Sequence, residues 1–474
     1  MVAHCFGGGF ARRGENAPTD RYPLAFFGEA EPTALVAPTL CLFVHGGQTL
    51  MRRWEGLSSG LLAVTQTKET NMAVLKGNAV IGQSGGPTSV INQSLVGVVQ
   101  AVKEAGHVEQ LLGAKHGVRG IVGENFVPLK NLGGELMERI AGTPAAALGS
   151  TRDKPDAAYC EKIFKSFAKN NVRYFFYIGG NDSADTARIV SELAKKENYE
   201  LRVFHIPKTI DNDLRVHDHT PGFGSAAKFV ASAMMGDDFD NRSLPGIKVN
   251  IVMGRNAGFL TAASVLARRR EGDGPHLIYV PESPLSEEKF LADVDRVYSK
   301  LGRCLIAASE GISRPGGTTW AEAMAENLEK DSHGNIQLSG SGALGDYLGE
   351  LIKKKLGGGG KKLRVRADTF GYLQRSFPGF VSAVDAQEAR LVGKMAVKYS
   401  GEGQTEGSVA MRRVGGGDYK IETFLTPLAT VAKETKHMDG SYLAEGNNIT
   451  EAFVQYVKPL VGELPKVGLL DELV

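Results

Sequence analysis

From Met72 onward the chain settles into a repeated pattern: a short apolar run, a turn of Gly, Asp, Ser or Pro, then a stretch of helical length. The apolar runs are Ala79-Val80-Ile81, Val172 to Ile178, Val203 to Ile206, Val249 to Met253, Leu277 to Val280 and Cys304 to Ala308. Runs this short, rich in Val and Ile, predict strands buried on both faces. Segments such as Ser89 to Ala105 and Asp182 to Lys195 predict the helices between them. This alternation predicts an α/β protein built on mostly parallel sheets flanked by helices, with ligands at the carboxyl ends of the strands. Residues 1–71 lack sustained periodicity and predict a poorly ordered N-terminal extension. Ser313 to Asn335, polar but helix-capable, and Lys353 to Lys362, with glycines at 357–360 between lysines, predict exposed loops. Gly446 to Glu451 predicts a capped helix start, since Asn and Thr favour the N-cap and Glu the first turn.

Composition narrows the function without naming it. A length of 474 residues allows two to three domains at roughly 100–200 residues each. The net charge of +2, from 55 basic and 53 acidic residues, gives no electrostatic case for nucleic acid or an acidic membrane. Any anion site must therefore be local. Cys5, Cys41, Cys160 and Cys304 form no CxxC pair, which fits reduced thiols in a cytoplasmic protein better than a disulfide framework. No apolar run is long enough to span a bilayer. Many of the 59 glycines cluster where apolar runs end, the place for phosphate-binding turns in α/β proteins.

Three such turns carry candidate chemistry. Gly85-Gly86-Pro87-Thr88-Ser89 can cradle a phosphate with backbone N–H groups, although it is not a Walker loop and a ligand-free strand-to-helix turn would read the same. Gly179-Gly180-Asn181-Asp182-Ser183 follows the Val172 to Ile178 run; its glycines permit close approach of a phosphate, or Asp182 and Ser183 merely start a helix. Pro207-Lys208-Thr209-Ile210-Asp211-Asn212-Asp213 is the most informative. If it stays extended, Asp211 and Asp213 share a face, and like charges held close raise one carboxylate's pKa as a general base requires. Lys208 can offset phosphate charge as a compact cation, while the alternative is an Asp- and Asn-rich turn. Met253-Gly254-Arg255, Ser309-Glu310-Gly311 and the Arg366, Tyr372, Arg375 group end later runs and add forked donors suited to phosphate.

Together these ordered motifs resemble the phosphofructokinase family from about Lys76 to Arg375, and more loosely to Gly462, and within it the pyrophosphate-dependent branch. The resemblance implies a phosphofructokinase-like fold of two lobes with the active site in the cleft. Residues 72–224 would begin the donor lobe, 225–374 form the sugar-phosphate lobe, and 375–474 return to the donor lobe and add C-terminal helices. The implied reaction is reversible phosphoryl transfer from pyrophosphate to the 1-hydroxyl of fructose 6-phosphate, within glycolysis and gluconeogenesis. Asp211 would be the base, with Thr209 and Asp213 in support. Met253, Gly254, Arg255 and Glu310 would contact the sugar phosphate, and Tyr372 and Arg375 would grip its 6-phosphate. Arg366 would serve the site of a neighbouring subunit, which implies a homodimer or homotetramer. Gly85, Gly86, Gly180 and Arg152 would meet the donor.

The resemblance also bears on the donor and the metal. ATP users carry glycine at the positions of Asp182 and Lys208. A carboxylate at Asp182 would intrude on a nucleotide α-phosphate, whereas Lys208 would stabilise the leaving phosphate. A Mg2+ cofactor is implied, held by Asn181, which stands where the family has aspartate, or by Asp182. An expected cation shortly before Met253 aligns with Gly246, and Lys248 can substitute. The alternatives are an ATP-dependent 6-phosphofructokinase and a non-catalytic, sugar-phosphate-binding regulatory subunit. The regulatory reading would not need Asp211.

Overall fold

The computed structural model describes residues 75–324, 342–357, 363–415 and 418–470, all within the second of two units, Thr70–Val474. The expected N-terminal extension, with Cys5 and Cys41, lies outside the described residues, as do residues 325–335 and 358–362 of the two expected loops.

Among the described residues eleven strands form two main sheets, and Leu443–Ala444 pairs with Asn448–Ile449 in a separate two-stranded ladder. In chain order the eleven are β1 (Gly77–Gln83), β2 (Val108–Ala114), β3 (Phe126–Pro128), β4 (Val172–Gly179), β5 (Arg202–Pro207), β6 (Ile247–Val252), β7 (Leu277–Tyr279), β8 (Cys304–Ser309), β9 (Val365–Thr369), β10 (Glu406–Arg413) and β11 (Ile421–Thr426). The larger sheet runs β11-β10-β5-β4-β1-β2-β3 and the smaller β7-β8-β6-β9. Within the larger sheet the two edge pairs, β2 with β3 and β10 with β11, are antiparallel and the rest parallel. Every pair in the smaller sheet is parallel. The strands expected from the apolar runs are all present.

Strand β4 shows why its run is continuous rather than alternating. Tyr174, Phe176 and Ile178 enter one core with Leu95, Val98, Val392 and Ala396. Phe175 and Tyr177 enter the opposite core with Ile163, Phe167 and Val190. Successive side chains of a strand point to opposite faces, so a strand covered on both sides must be apolar throughout.

The chain passes from the larger to the smaller sheet along the Phe223–Ser243 helix. That helix starts at Gly222, whose φ of +110° and close approach to Thr88 exclude a side chain. Asp385, on the Ala383–Gly401 helix, accepts bonds from the N–H groups of Gly222 (2.8 Å) and Ser225 (2.9 Å) and so caps it from outside. After β9 the chain returns through the Ala383–Gly401 helix to β10, beside β5. A helix does begin at Glu451, but the preceding Thr450 makes no side-chain cap; its hydroxyl bonds the Ser441 carbonyl instead (2.7 Å). Among the described residues no helix is long and apolar enough to cross a membrane. Cys160 and Cys304 are buried free thiols.

Candidate active site

The turns after β1, β4 and β5 of one sheet and after β6 and β8 of the other line a single polar cavity of about 280 Å³. All of these turns leave the carboxyl ends of parallel strands, where the unpaired ends of the ladder and the following helix starts leave room for a ligand.

From β1, Ser84 through Thr88 form one wall. Gly85 sits at φ +76°, its N–H bonded to the Thr151 carbonyl (2.9 Å) and its own carbonyl to the Ser150 hydroxyl (2.6 Å). A Cβ on Gly85 would stand 3.1 Å from the Lys208 ammonium, and one on Gly86 would stand 2.8 Å from Arg375 Nη1. Two cations thus come down onto bare backbone, the arrangement an anion requires. Arg152 completes the wall, on a loop pinned by Asp153, which takes a fork of bonds from Arg119 Nε (2.8 Å) and Nη2 (2.7 Å).

From β4, Gly180 stands at the start of the Asn181–Lys196 helix and, with Asn181 and Asp182, faces the cavity. The Asn181 side-chain carbonyl accepts the Asp182 N–H (2.9 Å), and the half-exposed Asp182 carboxylate pairs with Lys154 (3.2 Å). Lys154 was not singled out in the sequence, although it lies two residues past Arg152. Among the described residues no three His, Cys, Asp or Glu side chains group as metal ligands. The donor set here is one carboxylate and one amide oxygen. That fits magnesium only in its usual mode, with most positions filled by water and substrate phosphate.

From β5 come Lys208, Thr209 and Asp211. The turn is not extended: Asn212 has φ +58°, a left-handed conformation that Asn tolerates, and the Asp211 N–H bonds the Thr209 hydroxyl (3.1 Å). Asp211 therefore lines the cavity while Asp213 stands behind it. Burial, then the nearby charges of Asp213 and Glu310, push the Asp211 carboxyl up to about 7 against the pull of Lys208 and Arg255. Burial likewise raises Asp213. Lys208 is buried, and burial together with Arg375 brings its ammonium down to about 8.

The second sheet supplies the opposite wall. Met253, Arg255, Asn256 and Glu310 face the cavity; Asn256 had not been singled out. Gly254 shapes this wall without lining it: at φ +131° a Cβ would lie 2.5 Å from the Ala257 carbonyl. Arg375 reaches the cavity, and its guanidinium lies 4.4 Å from the ring centroid of Tyr372, which is half-exposed and outside the lining. Arg366 is exposed on β9, away from the cavity, its Nη1 bonded to the Val365 carbonyl (3.0 Å). Lys248 is paired with Asp237 and Asp368 and does not join the site.

A family model described as Phosphofructokinase matches residues 78–400. A pyrophosphate–fructose 6-phosphate 1-phosphotransferase of Rhodospirillum rubrum is 53% identical over 390 residues, covering 82% of this chain and 95% of its own. One of the same description from Halomonas elongata is 35% identical, covering 83% and 96%. A solved pyrophosphate-dependent phosphofructokinase of Marinobacter aquaeolei superposes with a TM-score of 0.71 at 31% identity, covering 83% of this chain and 94% of that one.

Proposed function

The chain belongs to the phosphofructokinase family, and from that membership we propose that it transfers phosphoryl groups reversibly between pyrophosphate and the 1-hydroxyl of fructose 6-phosphate. The observation that carries the chemistry is the facing of Asp211 and Lys208 in one cavity: a buried carboxyl raised toward neutrality beside cations gathered over a glycine turn.

Pyrophosphate lies over Gly85 and Gly86, within reach of Lys208 and Arg152. The sugar enters from the Met253, Arg255 and Glu310 side. Asp211 accepts the proton of the 1-hydroxyl as that oxygen attacks the terminal phosphorus in line. The bond to the bridging oxygen breaks, and phosphate leaves with its new charge facing Lys208. A carboxylate near neutrality suits the forward and reverse steps alike, since the base must also return the proton. Positioning and charge neutralisation carry most of the catalysis. Asp182, with Asn181 beside it, would hold Mg2+, which neutralises charge on the transferring group. The same carboxylate, paired with Lys154, replaces the glycine that the resemblance gives to ATP users and would crowd a nucleotide α-phosphate, which favours pyrophosphate over ATP. Arg366 and Tyr372, outside this cavity, join Arg375 in the grip on the 6-phosphate, Arg366 from a second copy of the chain. We place the reaction in cytoplasmic glycolysis and gluconeogenesis.

The test offers pyrophosphate and ATP in parallel with fructose 6-phosphate and Mg2+ and follows fructose 1,6-bisphosphate. Turnover with pyrophosphate alone is expected, and Asp211→Ser should cost about 10³-fold in kcat while sugar-phosphate binding is retained. Turnover with ATP alone would overturn the donor assignment, and an undiminished Asp211→Ser enzyme would overturn the base.

A further inference from the structure

The reactive turn is a left-handed kink with little sheet to hold it. Past Thr209, which bridges Gly222, the segment leaves the ladder of β5. What anchors it comes from residues 433–438, more than two hundred positions later. Leu214 and Thr435 form an antiparallel bridge, and the Lys436 N–H donates to the Asp213 carbonyl (2.7 Å). The Lys436 ammonium then donates to the carbonyls of His217 and Asp218, both at 2.9 Å, and lies 5.0 Å from the centroid of the Phe259 ring.

The next two residues of the strap hold the other wall. His437 Nδ1 lies 2.9 Å from the carbonyl of Asn256, a cavity residue, and the Met438 N–H donates to Glu282 (3.0 Å). Glu282 in turn accepts the Gly258 N–H (3.1 Å). One short strap therefore fastens the loop carrying the base and the loop carrying the sugar contacts to each other.

A second line supports the kink. Asn212 donates to the Tyr456 hydroxyl (2.8 Å), which donates to the same Asp218 carbonyl (2.7 Å) that Lys436 holds. The charges around the ammonium are Asp213 and Asp218, with His217 in contact range and His219, Glu388 and Arg413 behind Asp218.

We propose that Lys436 is a positioning residue for phosphoryl transfer: it fixes the Asp211–Asp213 turn against the Arg255–Asn256 wall. It touches no reacting atom. Its ammonium satisfies the His217 and Asp218 carbonyls just past the turn and sets a positive charge near Asp213, while its backbone N–H holds the Asp213 carbonyl. Burial lowers Lys436 to about 8, while Asp218 and Asp213 oppose that loss, so the cation and the acid pair support each other.

This proposal rests on the reaction proposed above, and wild-type turnover separates the two: an inactive wild type defeats that reading, whereas an active one lets the variant decide. Lys436→Met keeps the stem and removes the charge. We expect kcat to fall by about 30- to 100-fold, the scale of a misplacement near one ångström. KM for fructose 6-phosphate should stay within about threefold, because the sugar wall is intact. The acid limb of kcat should move to higher pH, since loss of a cation makes both deprotonations of the pair harder. Lys436→Arg should recover part of kcat. A folded Lys436→Met enzyme with unchanged kcat and acid limb, whatever its Tm, would reduce Lys436 to a structural residue and end the proposal. Should that variant not fold, Tyr456→Phe keeps the ring and removes only the second line. It is expected to lower kcat by about three- to tenfold at constant KM, and an unchanged kcat there overturns the proposal as well.

Discussion

The behaviour of Asp211 depends on how close Asp213 stands and how little water reaches either. Asp213 and Glu310 both work against ionisation of Asp211, and Lys208 and Arg255 work for it; burial tips the balance upward, to about 7. A base must be unprotonated to act, so activity should fall as pH drops through this region. Asp213→Asn removes one opposing negative charge and leaves the turn's shape. The Asp211 pKa should then fall, and the acid limb of the pH–kcat profile should move to lower pH by about one unit. An acid limb that stays in place would show that burial and Glu310, not Asp213, set it. The candidate chemistry at this scale was legible in the sequence because it sits in short ordered motifs at the ends of apolar runs. The geometry was not. An extended Asp211–Asp213 pair was the expectation, and one left-handed residue, Asn212, puts Asp211 in the cavity and Asp213 behind it. The pairing of Lys154 with Asp182 was equally hidden, because nothing local distinguishes that lysine from a solvated one.

Among the elements, the strands announced themselves because burial on both faces forces an unbroken apolar run. The pairing of helices did not, because it depends on small residues far apart in the chain. The Ile91–Glu104 and Ala383–Gly401 helices cross almost backbone to backbone, and two glycines allow it. A Cβ on Gly97 would collide with the Arg390 carbonyl, and one on Gly393 with the Ser94 carbonyl. These atoms are backbone and cannot swing aside. Gly393→Val should therefore force the helices apart and cost about 2–3 kcal/mol, visible as a lowered Tm and a lowered denaturant midpoint. The Ala383–Gly401 helix also carries Asp385, the outside cap of the Phe223–Ser243 helix. The damage should thus reach the Gly222 turn and lower kcat/KM as well as stability. A variant that melts like wild type would mean that the helix pair has slack which the close carbonyl contacts do not suggest.

For the molecule as a whole, the arrangement gives each sheet one wall of the cavity and leaves two expected phosphate ligands, Arg366 and Tyr372, outside its lining. Arg366 is exposed on β9 and does not line the cavity that Asp211 lines. A forked cation kept for phosphate and placed away from its own site makes sense if a second copy brings it to the neighbour's site. In a closed symmetric assembly each such site takes Asp211 from one chain and Arg366 from another. Complementation follows from this. Asp211→Ser and Arg366→Ala should each be inactive alone, the first for want of a base and the second for want of a 6-phosphate grip. Mixed, dissociated and reassembled as dimers, half of the molecules pair one variant with the other, and each such pair holds one site with both residues intact. Activity should return to about a quarter of wild type at equal mixing, and the regained KM for fructose 6-phosphate should match wild type, because the restored sites are complete. If Arg366 acted within its own chain, every site in the mixture would lack one residue or the other, and no activity would return at any mixing ratio.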